Sequence, residues 1–160
     1  MSKISIIMGS QSDLETVNEA ITVLKSFKVG FETKVLSAHR SPKELAAYVE
    51  AASRKGTKVF IAAAGGAAAL AGVVASHTTI PVIGIPVETK SLKGLDSLLS
   101  TVQMPGGVPV ASMAIGKAGA KNAALFALAI LGITDKKIQK ALVQYKKDMR
   151  QKIKKIRLNV

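Results

Sequence analysis

Phe31-Glu32-Thr33-Lys34-Val35-Leu36-Ser37-Ala38-His39-Arg40-Ser41-Pro42 changes character halfway along. Residues 31–36 alternate and are rich in Val, Thr and Phe, which reads as a strand. From Pro42 a helix runs to residue 54, with Ser41 expected as its N-cap and Pro42 in its first turn. His39 and Arg40 therefore fall at the carboxyl end of a strand, the edge where open α/β sheets bind ligands. An imidazole takes and returns a proton near neutral pH. A guanidinium does not, but its fixed fork of donors suits a phosphate or carboxylate. The same residues also read as a plain turn with His39 packed and Arg40 solvated, and by themselves they leave both readings open.

Outward from this stretch the chain keeps alternating. Strands are expected at 3–8, 31–36, 58–63, 81–85 and 110–115, with helices at 12–27, 42–54, 67–76 and 118–131 and a looser stretch at 92–102. Strands separated by 10 to 15 helical residues, several of them continuously apolar, imply right-handed crossovers and a parallel sheet covered on both faces. The expected fold is a three-layer α/β sandwich, doubly wound and flavodoxin-like. Its main body is residues 1–134, and residues 135–160 add a basic helix.

Small polar residues and glycines gather after the first and third strands. Gly9-Ser10-Gln11-Ser12-Asp13 offers a tight turn, two hydroxyls and the amides of a helix start, together a phosphate cradle. Asp13 repels phosphate, so it is expected to cap the helix or to receive a ribose hydroxyl or an amine. Ala64-Gly65-Gly66-Ala67-Ala68-Ala69-Leu70-Ala71-Gly72 lets a ligand approach closely, and its consecutive glycines can aim amides at an anion. Gly84 to Ser91 has the spacing of a Walker A loop but Thr89 where the second glycine must be, which removes the main support for nucleotide hydrolysis. His77 follows a helix end, where an imidazole commonly satisfies terminal carbonyls, and Glu88 sits near a strand end without a paired carboxylate.

Composition excludes several classes. The 160 residues contain no cysteine, which removes disulfides, zinc-thiolate sites and cysteine nucleophiles and fits a reducing cytosol. No apolar run approaches a membrane span, and Met1-Ser2-Lys3-Ile4 leads straight into a short apolar segment, so neither a signal peptide nor a membrane anchor is expected. The net charge of +13 is uneven: residues 135–160 carry ten Lys and Arg against two Asp, a surplus of +8, leaving +5 for the rest. In that segment Ile138, Leu142, Tyr145, Met149, Ile153 and Ile156 recur at helical spacing. Such a helix can bind nucleic acid, but no nucleic-acid motif accompanies it and aromatics make up only 4% of the chain, so packing on the fold or a neighbouring subunit is expected.

Six motifs occur in order: Met8-Gly9-Ser10-Gln11-Ser12-Asp13, Ser37-Ala38-His39-Arg40, Ala64-Gly65-Gly66-Ala67-Ala68, Leu95-Asp96-Ser97-Leu98-Leu99-Ser100, Gln103-Met104-Pro105-Gly106-Gly107-Val108-Pro109-Val110 and Asn122-Ala123-Ala124-Leu125. Over residues 3–134 the chain thereby closely resembles the PurE family of purine biosynthesis, the N5-carboxyaminoimidazole ribonucleotide mutases. The resemblance implies a small ribonucleotide substrate, no metal or organic cofactor, and a cytoplasmic homo-octamer. It implies that Ser10, Ser12, Asp13 and Arg40 hold phosphate and ribose, with Ser37 and Leu70 also binding substrate. Gly65, Gly66 and Ala67 would wall a carbon dioxide pocket, and His39 would be the catalytic acid and base.

One departure stands out. Bacterial mutases usually continue Gly-Gly-Ala-Ala with His-Leu-Pro-Gly, whereas this chain has Ala69-Leu70-Ala71-Gly72. A branch that carboxylates aminoimidazole ribonucleotide with free carbon dioxide has Gly-Arg-Ser-Asn in this region, and Gly65-Gly66 resembles the mutase branch instead. Carboxylation with free carbon dioxide and nucleic-acid binding by the basic tail are the two alternatives.

Overall fold

A computed structural model describes residues 3–157. Five parallel strands, β1 (Ile4–Met8), β2 (Phe31–Val35), β3 (Val59–Ala64), β4 (Val82–Pro86) and β5 (Ala111–Ser112), form one sheet in the order β2-β1-β3-β4-β5. The central pair aligns Ile4 with Val59 and Met8 with Ala63. From it the chain builds outward in both directions, so the strand order reverses between β1 and β3. In a flavodoxin-like sheet that reversal opens a crevice at the carboxyl edge.

Alternation along each strand sends side chains into two separate cores. Ile4, Ile6, Val59, Ile61 and Ile83 pack against α1 (Leu14–Ser26) and α5 (Gly116–Gly132), while Ile7, Phe60, Ala62 and Val82 pack against α2 (Pro42–Arg54) and α3 (Leu70–Ser76). Every residue of β1 is buried, Ser5 included, and its hydroxyl shares a 2.6 Å hydrogen bond with Tyr48 Oη of α2. That bond matters because a buried hydroxyl left alone costs about 1–3 kcal/mol. The edge strand β2, by contrast, exposes Thr33, Lys34 and Val35.

The stretch 92–102, expected to be loose, contains the helix α4 (Leu95–Val102). Its polarity is inverted: Ser97 and Thr101 are buried, while Leu95, Leu99 and Val102 are about half exposed. Hydrophobic patterning therefore hid it. Gly84 explains its seat, since a Cβ there would collide with Thr101 Cγ2 and crowd Ala71 Cβ at 3.3 Å. The glycine of the abortive Walker-like stretch thus serves packing.

Other boundaries differ for local reasons. A 3-10 turn at Gln11–Asp13 precedes α1. The third helix starts at Leu70 rather than 67, because Ala68 N and Ala69 N donate to Gly66 O and Ala67 O at 2.8 Å and hold 66–69 as a turn. β5 shrinks from the expected 110–115 to two residues, where only Ala111 and Ser112 pair with β4. Ser41 does not cap α2 with its side chain: its hydroxyl donates to Ser37 O at 3.1 Å and accepts from Ser37 N at 2.9 Å, closing the 37–41 turn instead.

The basic segment forms α6 (Lys136–Lys154), capped by Asp135 Oδ1, which accepts from Lys137 N at 3.1 Å and Ile138 N at 3.3 Å. Its apolar stripe divides. Ile138 is buried, Leu142 packs on the core and the Tyr145 ring lies 5.8 Å from that of Phe27, whereas Met149, Ile153 and Ile156 are exposed. The outer ends of the two expected segments, residues 1–2 and 158–160, lie outside those described. Among the described residues no helix is long and apolar enough to cross a membrane.

Candidate active site

The turn after β1 is built as a reciprocal cap. Ser10 Oγ accepts from Ser12 N at 3.3 Å and from Ser12 Oγ at 3.0 Å, while Asp13 Oδ2 accepts from Ser10 N at 3.0 Å. Asp13 is only 6% exposed. That burial pushes its carboxyl above the usual carboxylate range, against the opposing pull of the Ser10 and Gly9 amides and the nearby Arg40 charge. Its first role here is structural, since it orders the two serines that precede the helix.

Arg40 ties this turn to the next. Its backbone N donates to Ser37 Oγ at 3.1 Å, its Nε reaches the same oxygen at 3.4 Å, and its Nη2 donates to Gly9 O at 3.1 Å. The guanidinium is thereby held across the ends of β1 and β2. Its remaining donors are free to meet a ligand, because a five-donor fork has used only two side-chain N–H groups. His39, next to it, is exposed and also lines the cavity.

A cavity of about 500 Å³ opens between these turns and those that follow β3 and β4. On one side it is lined by Ser10, Ser12, Asp13, Ser37, His39 and Arg40. On the other lie Gly65, Ala67 and Leu70. Gly66 is the one expected site residue that does not line it. Its φ of +72° favours glycine, and its amide donates at 3.0 Å to the buried Ser97 Oγ. The amide of Gly66 is thus engaged by Ser97 rather than offered to the cavity.

Seven lining residues were absent from the expected site: Gly9, Ala38, Ala64, Ala69, Val87, Glu88 and Thr89. The last three follow β4, the neighbour of β3, so the rule that placed His39 at a strand end would also have found them. Glu88 was passed over because it lacked a paired carboxylate. His77 lies elsewhere, at the end of α3, with Nδ1 3.7 Å from Glu50 Oε1.

The arrangement sets a polar rim carrying Arg40 and His39 opposite a small apolar wall. Residues 3–152 match the family described as AIR carboxylase. A relative from Saccharolobus solfataricus is 51% identical over 158 residues, covering 99% of each chain, and is named N5-carboxyaminoimidazole ribonucleotide mutase. Proteins of the same name from Pyrococcus abyssi (55% identical, covering 94% of this chain and 85% of that one) and Bacillus subtilis (51%, covering 94% and 93%) are similar. A solved structure of Treponema denticola PurE superposes with a TM-score of 0.86 at 29% identity, covering 94% of this chain and 92% of that one. The recognisable motifs stop by residue 134, but the family match runs to 152 and so takes in most of α6. With motif order, strand order and full-length identity in agreement, this chain belongs to the AIR carboxylase family, to which the PurE proteins belong.

Proposed function

We infer that this chain interconverts N5-carboxyaminoimidazole ribonucleotide and 4-carboxy-5-aminoimidazole ribonucleotide in purine biosynthesis. The observation that carries this reading is the 51% identity over 99% of both chains to a protein of that name. The cavity supports it. Ser10, Ser12 and Arg40 offer hydroxyls and a guanidinium to the phosphate, and Asp13, with one oxygen held by Ser10 N, keeps another to accept from a ribose hydroxyl. Ser37 holds Arg40 in place for that contact.

In the proposed reaction the carboxyl group leaves nitrogen as carbon dioxide and is re-added to the ring carbon. A proton must move from that carbon to the nitrogen, and a single imidazole, that of His39, can accept it and return it. Carbon dioxide carries no charge to grip, so the wall that retains it has to be small, apolar and closed to water. Gly65, Ala67 and Leu70, shaped by Gly66, have that character.

The test is product formation from the N-carboxylated substrate by purified protein, set against aminoimidazole ribonucleotide supplied with bicarbonate. Rapid conversion of the first and little of the second is expected. The opposite ranking would make the chain a carboxylase that uses free carbon dioxide. That alternative and nucleic-acid binding are not favoured, since relatives at about half identity carry the mutase name.

The active form we propose is a cytoplasmic homo-octamer, with residues 135–160 as a segment added to the 1–134 body. Support comes from the exposed Met149, Ile153 and Ile156 of its C-terminal segment and the half-exposed leucines of α4, which a neighbouring copy would cover. The mass in solution by light scattering tests the assembly, and cell fractionation tests the compartment.

A further inference from the structure

The motif Leu95-Asp96-Ser97-Leu98-Leu99-Ser100 contributed to the family resemblance but took no part in the site. Its polar side chains face the turns that wall the cavity. Ser97 is fully buried, and its hydroxyl donates to Val87 O at 2.6 Å while accepting from Gly66 N at 3.0 Å. One oxygen thus bridges the end of β4 and the glycine turn after β3. Asp96 Oδ1 accepts from Thr89 Oγ1 at 2.8 Å, and that same Thr89 oxygen accepts from Gly94 N at 3.2 Å. The hydroxyl of Ser100 is given mainly to Asp96 O at 2.7 Å, with a weaker contact to Gly66 O at 3.3 Å.

The glycine turn has little else to fix it. Besides the two local bonds from Ala68 N and Ala69 N, a backbone bond from Val87 N to Ala64 O at 2.9 Å anchors its start and one from Val73 N to Ala69 O at 3.0 Å anchors its end. The positive-φ Gly66, between Gly65 and Ala67, has no side chain with which to brace itself. Between those anchors, Gly66 is held from behind by the hydroxyls of α4.

We propose that Ser97 is a positioning residue for the carboxyl transfer: through Gly66 it sets the wall formed by Gly65 and Ala67 so that carbon dioxide stays in place between the two halves of the reaction. This rests on the mutase reading above. In that transfer the N–C bond breaks as nitrogen takes up one proton, giving the amine and carbon dioxide. The ring carbon then bonds to carbon dioxide and releases its own proton, so none is gained or lost overall. If carbon dioxide escapes between the steps, the products are free amine and carbon dioxide, and one proton has been consumed per carbamate. A misplaced wall thus leaves a chemical signature, in which the amine accumulates at the expense of the C-carboxylated product.

The experiment follows both products from the N-carboxylated substrate for the full-length wild type, Ser97→Ala and Ser100→Ala, each corrected for breakdown without enzyme. Ser97→Ala should raise the ratio of amine to C-carboxylated product about fivefold or more, the order that one net hydrogen bond represents. Its KM should stay within about twofold of wild type, because the rim formed by Ser10, Ser12 and Arg40 is untouched. Ser100→Ala, on an exposed position, should raise the same ratio by less. A Ser97→Ala enzyme that is slower but partitions as wild type does would overturn the proposal, as would an unchanged ratio in Ser100→Ala should Ser97→Ala not fold. If the wild type itself fails to convert the N-carboxylated substrate, the mutase reading falls and takes this proposal with it, a failure visible without any variant.

Discussion

Along the rim from β1 to β2 the cavity is lined by Ser10, Ser12, Asp13, Ser37, His39 and Arg40, of which Ser10, Ser12 and Asp13, and likewise Ser37 and Arg40, hold one another through hydrogen bonds within a few residues of sequence. Along the rim from β3 the lining is Gly65, Ala67, Ala69 and Leu70, which have no polar side chain at all. The first wall can grip an anion and be shaped by the same groups that do the gripping. The second cannot shape itself, so its geometry is delegated to hydroxyls of α4 some thirty residues further along the chain. On the proposed function, a wall for a charged ribonucleotide and a wall for an uncharged gas thus call for different architecture, one local and one borrowed.

Substitutions on the two walls should separate accordingly. The largest effect belongs to His39→Asn, which removes the proposed proton carrier from the polar wall. Turnover of the N-carboxylated substrate is expected to fall by about 10²–10⁴-fold, with the thermal midpoint unchanged because the ring is exposed. Equal rates in the two proteins would reject the shuttle. Arg40→Ala is expected to act on binding. Loss of hydrogen bonds to a charged group, about 1.5–3 kcal/mol, should raise KM roughly ten- to a hundredfold. Arg40→Lys should recover only part of this, since an ammonium lacks the fork that reaches Gly9 O while facing a ligand.

Behind the apolar wall, Gly84→Ala should destabilise the fold by about 1–3 kcal/mol through the collision with Thr101 Cγ2. Adding Thr101→Ser, which removes that methyl and keeps the hydroxyl that donates to Ser97 O, should restore most of the loss in denaturant melts. If the double variant is no better than the single one, α4 is not seated through this contact.

The smallest expected effect is a slope. The raised carboxyl of Asp13 binds its proton more readily folded than unfolded. Its contribution is therefore most favourable at acid pH, and it falls as pH rises from the unfolded value of 3.8 through the higher folded one, remaining lower beyond. Unfolding measured at a series of pH values should show this decline in the wild type and a flatter profile in Asp13→Asn. Parallel profiles would mean that burial of this carboxyl is not the dominant influence on it.

Legibility in the sequence followed the same division. The polar wall could be read directly, because strand ends followed by Gly, Ser, His and Arg are short-range patterns and each feature lies within about six residues. The glycine turn was visible as composition, but the direction of its amides was not, since Gly66 N turns away toward Ser97. α4 escaped notice because pattern reading assumes that apolar residues face inward, and here Ser97 and Thr101 do so while Leu95 and Leu99 face out. In α6 the periodic stripe was correctly seen as a helix, but nothing in its spacing indicates that Ile138 and Tyr145 meet the fold while Met149 and Ile153 do not.

By itself the sequence determined the alternation of strands and helices, the parallel sheet and the edge at which chemistry is placed, because periodicity, turn chemistry and capping act between near neighbours. Only the tertiary structure decided that a buried serine on a polar-inward helix braces a wall made of glycine and alanine. That relation is a set of hydrogen bonds between segments 31 to 34 residues apart, and no local pattern records it until the chain has closed on itself.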